Sequence, residues 1–173
     1  MASHDIAQLA LELEADGEAS FLVRHSSPVL VGQGVVGQLE EEQSKKRRGR
    51  TIGVSMSLDE LAAQPVSLKN RVWEIRRDGP RAEGVPISVG RVAGNDVVIP
   101  EYSVSEHHCA FRWHKSRWML SDLGSMNGTV LDSQRLEPFS QVAVPDGALV
   151  ALGRYQFRFW LPKSFLGVLS PPR

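Results

Sequence analysis

Three short polar clusters interrupt the apolar second half of the chain and contain the groups that could do chemistry. They are Gly90-Arg91 followed by Asn95-Asp96, residues 103–108 and residues 122–129. A guanidinium, hydroxyls and a side-chain amide in loops are suited to binding anions and peptide main chain, because they supply hydrogen-bond donors. Histidine, cysteine and aspartate, the residue types of many catalytic and metal sites, occur in or beside the same clusters.

The spacing of those residues argues against catalysis and metal binding. His107 and His108 are adjacent at the entrance to a strand, so their side chains point to opposite sides and are poorly placed to share a metal. Cys109 begins an apolar strand and is predicted to be a small core residue. No nucleophile elbow, phosphate-binding loop or zinc-protease helix occurs. The sequence therefore predicts a non-enzymatic protein without catalytic residue, metal or cofactor; an enzyme that uses His114 or Asp122 is the disfavoured alternative.

The region 70–162 shows the period-two alternation of half-buried strands, as in Phe111 and Trp113. A hairpin is predicted across Lys115-Ser116, and Pro145-Asp146-Gly147 is a turn signal. Many short strands separated by such turns predict an all-β sandwich. The predicted strands are 71–77, 85–90, 96–99, 109–114, 117–123, 129–131, 141–144, 148–152 and 155–161.

The order of motifs in this region resembles the forkhead-associated (FHA) domain family. The matching elements are GR at 90–91, NDVVI at 95–99, SxxH at 105–108 and DLGSxNGT at 122–129. Each motif alone is a weak signal, but four in series, at loops between strands, are specific. The resemblance spans about 70–162 and implies an eleven-strand β-sandwich whose loops at one end bind phosphothreonine peptides without modifying them.

The resemblance implies that Arg91, Ser105, Met126 and Asn127 contact the phosphopeptide. A phosphate at pH 7 carries about −1.5 to −2 charge and three strong acceptors, so recognition needs convergent donors. Arg91 would supply a charge-assisted bond, Ser105 its hydroxyl and backbone N–H, and Met126 its backbone N–H. Asn127 both donates and accepts, which suits a peptide main chain passing the site.

Three further residues are predicted to support these loops. Gly90 is expected to serve backbone geometry, and Gly128 is where the Asn-Gly turn takes a positive φ. By the resemblance, His108 does not contact the phosphate but holds the Ser105 loop by a hydrogen bond beneath it.

Two departures from the family pattern bear on phosphate binding. Glu106 stands where the family commonly has Arg or Asn, and its carboxylate would repel a phosphate by about 1 kcal/mol in a solvated setting. Met126 stands where Thr is usual, which removes a hydroxyl donor; a lost charge-assisted bond costs roughly 1.5–3 kcal/mol. These departures favour the alternative function, a phosphate-independent protein-interaction module.

The chain is predicted to have four parts: a short helical and extended N-terminal segment (1–31), a charged and largely disordered linker (32–69), the FHA domain (70–162) and a C-terminal tail (163–173). Apolar residues recur at helical spacing over 4–13, with Ser3 as a candidate N-cap and Asp16-Gly17 as a stop. The linker carries an acidic run followed at once by a basic one, without apolar periodicity.

The composition argues against nucleic acids and membranes as partners. Lys and Arg number 20 and Asp and Glu number 20, which gives a formal net charge of zero and argues against binding long polyanions. The basic run Lys45–Arg50 follows Glu40–Glu42 and lacks interleaved aromatic residues, which favours a solvated linker over a nucleic-acid interface. No apolar run approaches the roughly 18 residues of a membrane span, and the N-terminus lacks the pattern of a signal peptide. A cytoplasmic protein without nucleic-acid or membrane partners is expected.

Thr51 follows the basic run and resembles a site for kinases that read upstream arginines. It is therefore a candidate phosphosite, the alternative being an unmodified linker threonine. The predicted function is a phosphothreonine-dependent adaptor in Ser/Thr-kinase signalling, whose partners are a phosphothreonine-containing protein and a Ser/Thr protein kinase.

Overall fold

The computed structural model describes residues 3–36, 67–79 and 83–170, which form two helices, α1 (Ile6–Arg24) and α2 (Pro162–Leu169), and twelve strands. All nine strands predicted within 70–162 are present, most of them with shorter ends, and β9 is added to them. The strands are β1 (His4–Asp5), β2 (Val29–Val35), β3 (Arg71–Glu74), β4 (Pro86–Gly90), β5 (Val97–Val98), β6 (Cys109–His114), β7 (Arg117–Asp122), β8 (Thr129–Leu131), β9 (Gln134–Arg135), β10 (Val142–Ala143), β11 (Leu149–Leu152) and β12 (Tyr155–Trp160).

The strands form a two-sheet sandwich, which confirms the predicted all-β fold class. One sheet has seven strands in the order β1-β3-β2-β12-β11-β8-β9, and the other has five in the order β10-β7-β6-β4-β5. Neighbouring strands pair antiparallel, except that β4 and β5 are parallel. The predicted hairpin joins β6 and β7, and its turn residues Lys115 and Ser116 both have positive φ, the geometry that follows the twist of paired strands.

Aromatic residues fill the space between the two sheets. Along β12, Tyr155, Phe157 and Phe159 are buried and alternate with half-buried residues, so the period-two pattern places them on the inner face. Phe159 stacks on Phe111 of the opposite sheet, with ring centroids 5.7 Å apart, and Phe157 meets Trp73 edge-on at 5.6 Å. This close-packed interior provides a rigid base for the loops at the ends of the strands.

The two helices pack on the outer face of the seven-stranded sheet and form a second apolar cluster. Because β2 is covered on both faces, its first four residues are all buried, in contrast to the alternation in β12. Neither described helix is long and apolar enough to cross a membrane. The buried members of the cluster are Leu9, Leu13, Phe21, Val29, Val31, Val72, Phe165 and Leu169.

The start and the end of α1 differ from the sequence prediction. Asp5, rather than Ser3, caps the helix by accepting a bond from the Ala7 N–H at 2.9 Å, while the Ser3 hydroxyl accepts one from Arg71 Nε at 3.0 Å. Gly17 has a left-handed φ of 75° and kinks the helix, as the predicted stop implied, but the helix resumes and continues to Arg24. Packing of Phe21 against the sheet provides the apolar contact that favours this second half.

The sheets also cross the predicted domain boundaries. Strand β2 spans the predicted boundary between residues 31 and 32 and pairs with both β3 and β12. The predicted tail at 163–173 contains most of α2, whose Phe165 and Leu169 are buried against the first helix and the sheet. Residues 3–36 and 162–169 therefore belong to the same packed unit as the sandwich, and the remainder of the predicted linker, 37–66, lies outside the described residues.

We expect Phe165→Ala to lower the free energy of unfolding by about 3 kcal/mol, because it empties a fully buried aromatic site. The loss should appear in a single transition, since the cluster joins both helices to the sheet. Urea unfolding followed in parallel by tryptophan fluorescence and far-ultraviolet circular dichroism measures both quantities. Leu11→Ala, at a position 68% exposed on α1, is the control and should change little. A separate early transition of the helices would contradict the prediction.

Candidate functional site

Three loops meet at one end of the sandwich and bring together the residues predicted to contact a phosphopeptide. They are the β4–β5 loop (91–96), the β5–β6 loop (99–108) and the β7–β8 loop (123–128). The first two are joined by the Arg91 N–H, which donates to the Ser105 carbonyl at 3.0 Å. The last two are joined by the Met126 N–H, which donates to Ser105 Oγ at 3.0 Å, and by Asn127 Nδ2, which donates to the Ser103 carbonyl at 2.9 Å.

The Arg91 guanidinium is hydrogen-bonded to the protein through Nε, and its side chain is partly exposed. Its Nε donates to the Val104 carbonyl at 3.1 Å, and its side chain is 41% exposed. Its Nη2 lies 3.9 Å from the Glu106 carboxylate, at the limit of an ion pair, and the Glu106 side chain is 68% exposed. Exposed pairs of this kind contribute only about 0–1 kcal/mol, so the carboxylate weakly competes for the guanidinium without occupying it.

Two backbone donors that the sequence assigned to the phosphate have partners inside the protein. The Ser105 N–H donates to His108 Nδ1 at 2.9 Å, and the Met126 N–H donates to Ser105 Oγ. The Ser105 hydroxyl thereby accepts one bond and keeps its own hydrogen for another acceptor. The Met126 side chain is 88% exposed at this surface, so its thioether is presented to solvent instead of being packed in the loop.

His108 connects the β5–β6 loop to the β7–β8 loop from below. Its side chain is fully buried; Nδ1 accepts the Ser105 N–H, and Nε2 lies 3.1 Å from the Gly128 carbonyl. A nitrogen that accepts carries no proton, so the neutral ring has its hydrogen on Nε2 and donates it to Gly128. Burial lowers the pKa of His108 below its ordinary 6.5, although the Gly128 carbonyl and the Asp122 carboxylate act in the opposite direction.

Asp122 shapes the loop that carries Asn127. Its Oδ2 accepts the N–H groups of Gly124 and Ser125, and its Oδ1 accepts the hydroxyls of Ser125 and Thr129. Burial alone would raise the pKa of this carboxyl, but the bonds from Ser125 and Thr129, with those from the two backbone N–H groups, lower it below its ordinary 3.8. Asp122 is therefore an ionised structural anchor.

Two glycines allow the loops to approach this closely. A Cβ on Gly90 would lie 2.0 Å from the Glu106 carbonyl oxygen, so a side chain there would push the β5–β6 loop away from Arg91. Gly128 has a φ of 85°, and a Cβ on it would also lie 2.5 Å from the Arg135 guanidinium. Both positions serve the backbone geometry of the site.

Asn95 holds the β4–β5 loop to the β5–β6 loop, a role that the sequence did not assign. Its Nδ2 donates to the carbonyls of Val92 at 2.9 Å and Glu106 at 2.7 Å, and its Oδ1 lies 3.0 Å from His107 Nδ1. The NDVVI motif was the available signal, since an asparagine after a turn commonly bonds to nearby backbone. The partners of Asn95, eleven and twelve residues further along the chain, are visible only in the fold.

Cys109, one of the groups considered for catalysis, lies in structural surroundings. Cys109 is fully buried, and burial raises the pKa of its thiol far above the ordinary value, which disfavours the reactive thiolate. Over the ranges that the structure describes, no group of three or more metal-ligating residues could hold a metal ion. Thr51 and the Lys45–Arg50 run lie outside the described residues.

The buried imidazole predicts a pH dependence of stability. Because the folded-state pKa of His108 is lowered, its contribution is complete above pH 6.5 and is lost as the pH falls toward that lowered pKa, by at most about 1.4 kcal/mol per pH unit. We expect His108→Gln to be less stable than wild type at pH 7.5 by about 1–3 kcal/mol, because the Ser105 N–H loses its acceptor and the Gly128 carbonyl loses one of its donors. Its stability should fall less than that of wild type between pH 7.5 and 5.0.

Urea unfolding of both proteins at several pH values in this range measures the difference. Asp122 does not interfere, because a carboxyl whose pKa is lowered from 3.8 loses its contribution only below that pH. Curves of unfolding free energy against pH that run parallel for the two proteins would contradict the assignment of a neutral His108 imidazole with a lowered pKa.

Comparison with known proteins identifies the domain that carries these loops. Residues 87–153 match the model of the FHA domain family. The chain is 38% identical over 73 residues to an FHA domain-containing protein of Arabidopsis thaliana, covering 42% of this chain and 19% of the relative. It is 36% identical over 69 residues to FhaB of Mycolicibacterium smegmatis, covering 40% and 43%. The matches thus span less than half the length of these relatives.

A solved structure is also similar to the chain. The solution structure of the FHA domain of an Arabidopsis thaliana hypothetical protein is 34% identical, with a TM-score of 0.43, over 46% of this chain and 70% of that one. The match of the family model covers every loop of the site, from β4 to the turn after β11. Residues 87–153 of the chain therefore form an FHA domain.

Proposed function

We propose that the chain is a phosphothreonine-peptide-binding module that acts as an adaptor in Ser/Thr-kinase signalling. The observation that carries the proposal is the convergence of Arg91, Ser105 and Asn127 from three separate loops onto one exposed end of the sandwich. Each of the three loops is tied to another by hydrogen bonds, so the donors are arranged before a ligand arrives. Pre-arranged donors lower the entropic cost of binding.

Arg91 and Ser105 are suited to the phosphate itself. The guanidinium is fixed through Nε and the side chain is 41% exposed, so its Nη groups can form charge-assisted bonds of about 1.5–3 kcal/mol each. The Ser105 hydroxyl, whose oxygen already accepts the Met126 N–H, has its hydrogen available for a phosphate oxygen. An unmodified threonine offers neither the charge nor the acceptors, so the site would discriminate against it.

Asn127 is suited to the peptide main chain beside the phosphothreonine. Its Nδ2 donates to the Ser103 carbonyl, an interaction that fixes the orientation of the side-chain amide. The Oδ1 atom of the same amide can then accept a peptide N–H, and the second hydrogen on Nδ2 remains for a peptide carbonyl. A ligand would thus be gripped at the phosphate by two loops and along the main chain by the third.

Glu106 decides between this proposal and a phosphate-independent interaction module. Its carboxylate is the nearest opposing charge to Arg91, at 3.9 Å, and it would repel an incoming phosphate. The pair is solvent-exposed, however, so its worth of about 0–1 kcal/mol is smaller than one charge-assisted bond to a phosphate. The balance favours phosphate binding with reduced affinity, which keeps the phosphate-independent module as the second candidate.

We expect Arg91→Ala to weaken binding of a phosphothreonine peptide by about 10- to 100-fold, the loss of one charge-assisted bond. The peptide would be selected from an oriented phosphothreonine library and titrated by calorimetry, together with its unphosphorylated form. Arg117→Ala is a matched control, because Arg117 is exposed at the opposite end of β7, beside the hairpin turn. Equal affinities of wild type for the two peptide forms would favour the phosphate-independent module.

We expect Glu106→Gln to tighten binding of the same phosphopeptide by up to about fivefold. The substitution removes a negative charge that repels the phosphate by about 0–1 kcal/mol, and it keeps the shape of the side chain. Glu106→Arg should tighten it further by adding a donor. Raising the salt concentration should reduce the difference between wild type and Glu106→Gln, because exposed charges are screened. Unchanged affinity in both variants would show that the side chain turns away from the bound phosphate.

A further inference from the structure

We infer that Arg154, acting through Glu101 and Ser103, is a positioning residue for Asn127. The inference rests on the proposed function, in which Asn127 contacts the peptide main chain. Arg154 and Glu101 lie outside the polar clusters that the sequence singled out, and Ser103, which begins the cluster 103–108, was assigned no role there. They form a buried polar network between the β5–β6 loop and the turn that precedes β12.

Glu101 is the centre of this network. Its side chain is 3% exposed, and its two carboxylate oxygens have different partners. Oε2 accepts the Ser103 N–H at 2.8 Å and also the Ser103 hydroxyl, whereas Oε1 accepts Arg154 Nε–H at 2.8 Å. Loss of a partner would leave the buried charge of this carboxylate uncompensated. The positions of Ser103 and Arg154 around Glu101 are therefore costly to change.

The turn that precedes β12 is packed directly against Ser103. The Arg154 N–H donates to Ser103 Oγ at 3.0 Å, so the hydroxyl bridges the turn and the carboxylate. A Cβ on Gly153 would lie 2.4 Å from the Ser103 carbonyl oxygen, and the Gly153 N–H donates to the Gly128 carbonyl at 3.2 Å. The same turn therefore bonds to the Ser103 hydroxyl and lies directly against the Ser103 carbonyl.

The Ser103 carbonyl is the acceptor that orients Asn127. Asn127 Nδ2 donates to it at 2.9 Å, and the direction of this bond sets which way Oδ1 points. Arg154 thus determines the orientation of Asn127 without contacting it, through the carboxylate of Glu101 and the peptide of Ser103. The Arg154 guanidinium also lies 4.0 Å from the ring centroid of Tyr102, a stacking contact that further limits its rotation.

We expect Arg154→Ala to weaken a library-selected phosphothreonine peptide by about tenfold, the scale of a lost pre-arranged contact. Binding of free O-phospho-L-threonine, followed by chemical-shift titration, should stay unchanged, because it depends on Arg91 and Ser105 alone. Arg158→Ala is the matched control: Arg158 lies on β12 in line with Arg154 and bonds to the Gly147 carbonyl at 2.7 Å, away from the loops. It should alter neither ligand's affinity.

A second readout needs no ligand. The side-chain amide signal of Asn127 in a ¹⁵N-labelled protein should shift and exchange its hydrogens faster in Arg154→Ala and in Glu101→Gln, but not in Arg158→Ala. Glu101→Gln keeps the shape of the side chain and so reports on the network if Arg154→Ala is poorly folded. An unmoved Asn127 amide in a folded variant would overturn the inference.

The outcomes separate this inference from the proposed function. Loss of peptide affinity with retained phosphothreonine affinity supports the positioning role, whereas equal losses for both ligands would overturn it in favour of general damage to the site. If wild type binds no phosphothreonine peptide, the proposed function fails. The Asn127 amide measurement then still decides whether Arg154 positions that side chain.

Discussion

The pair of hydrogen bonds made by the His108 imidazole is the interaction on which the arrangement of the site depends. The ring lies between a backbone donor, the Ser105 N–H, and a backbone acceptor, the Gly128 carbonyl, and a neutral imidazole accepts at one ring nitrogen while it donates from the other. Because the ring is buried, its bonds are shielded from water, and loss of the ring leaves the Ser105 N–H without its acceptor and the Gly128 carbonyl with one donor fewer. The two loops consequently keep a fixed separation.

The separation of the β5–β6 and β7–β8 loops stays fixed because both loops begin and end on strands of the tightly packed sandwich. The stacked pair Phe111 and Phe159 joins the two sheets, the edge-on pair Trp73 and Phe157 packs within the seven-stranded sheet, and the helices cover that sheet from outside. Around this base, Asp122, Asn95 and Glu101 each tie one loop by several hydrogen bonds. These polar side chains hold the loops from inside by hydrogen bonds, while Arg91 and Asn127 remain exposed.

Much of the fold could be predicted from local pattern. Period-two alternation identified nine strands, and the serial motifs identified the loops and the residues that meet at them. The N-terminal part was harder, because α1 is broken at Gly17 and β2 is buried on both faces, so neither shows a clean periodicity. The position of β2 in the sheet depends on pairing with β12, which is more than a hundred residues further along the chain. No local sequence pattern indicates that pairing.

The site shows the same division between local and distant information. Arg91, Ser105 and Asn127 stand in recognisable motifs, whereas the pairing of Arg154 with Glu101 joins residues 53 apart and leaves no trace in either neighbourhood. Sequence also assigned the backbone N–H groups of Ser105 and Met126 to a ligand, although the fold uses both to hold the loops. Backbone donors are invisible to residue-type reasoning, since every residue except proline has one.

The surroundings of individual arginines matter more for binding one phosphate than the net charge of the chain. A net charge of zero argues against long polyanions, whose affinity grows with the number of cations, but a single phosphate needs only one aimed guanidinium and a few fixed donors. In the proposed function Arg91 takes that role, whereas Arg154 is paired with Glu101 inside the protein, so the two arginines near these loops have different surroundings. The exposed one is available to a ligand because its carboxylate neighbour lies at 3.9 Å in solvent. The Arg154 guanidinium is held because its neighbour, the Glu101 carboxylate, lies at 2.8 Å and is buried, so the two arginines differ in the distance and the burial of the carboxylate beside each.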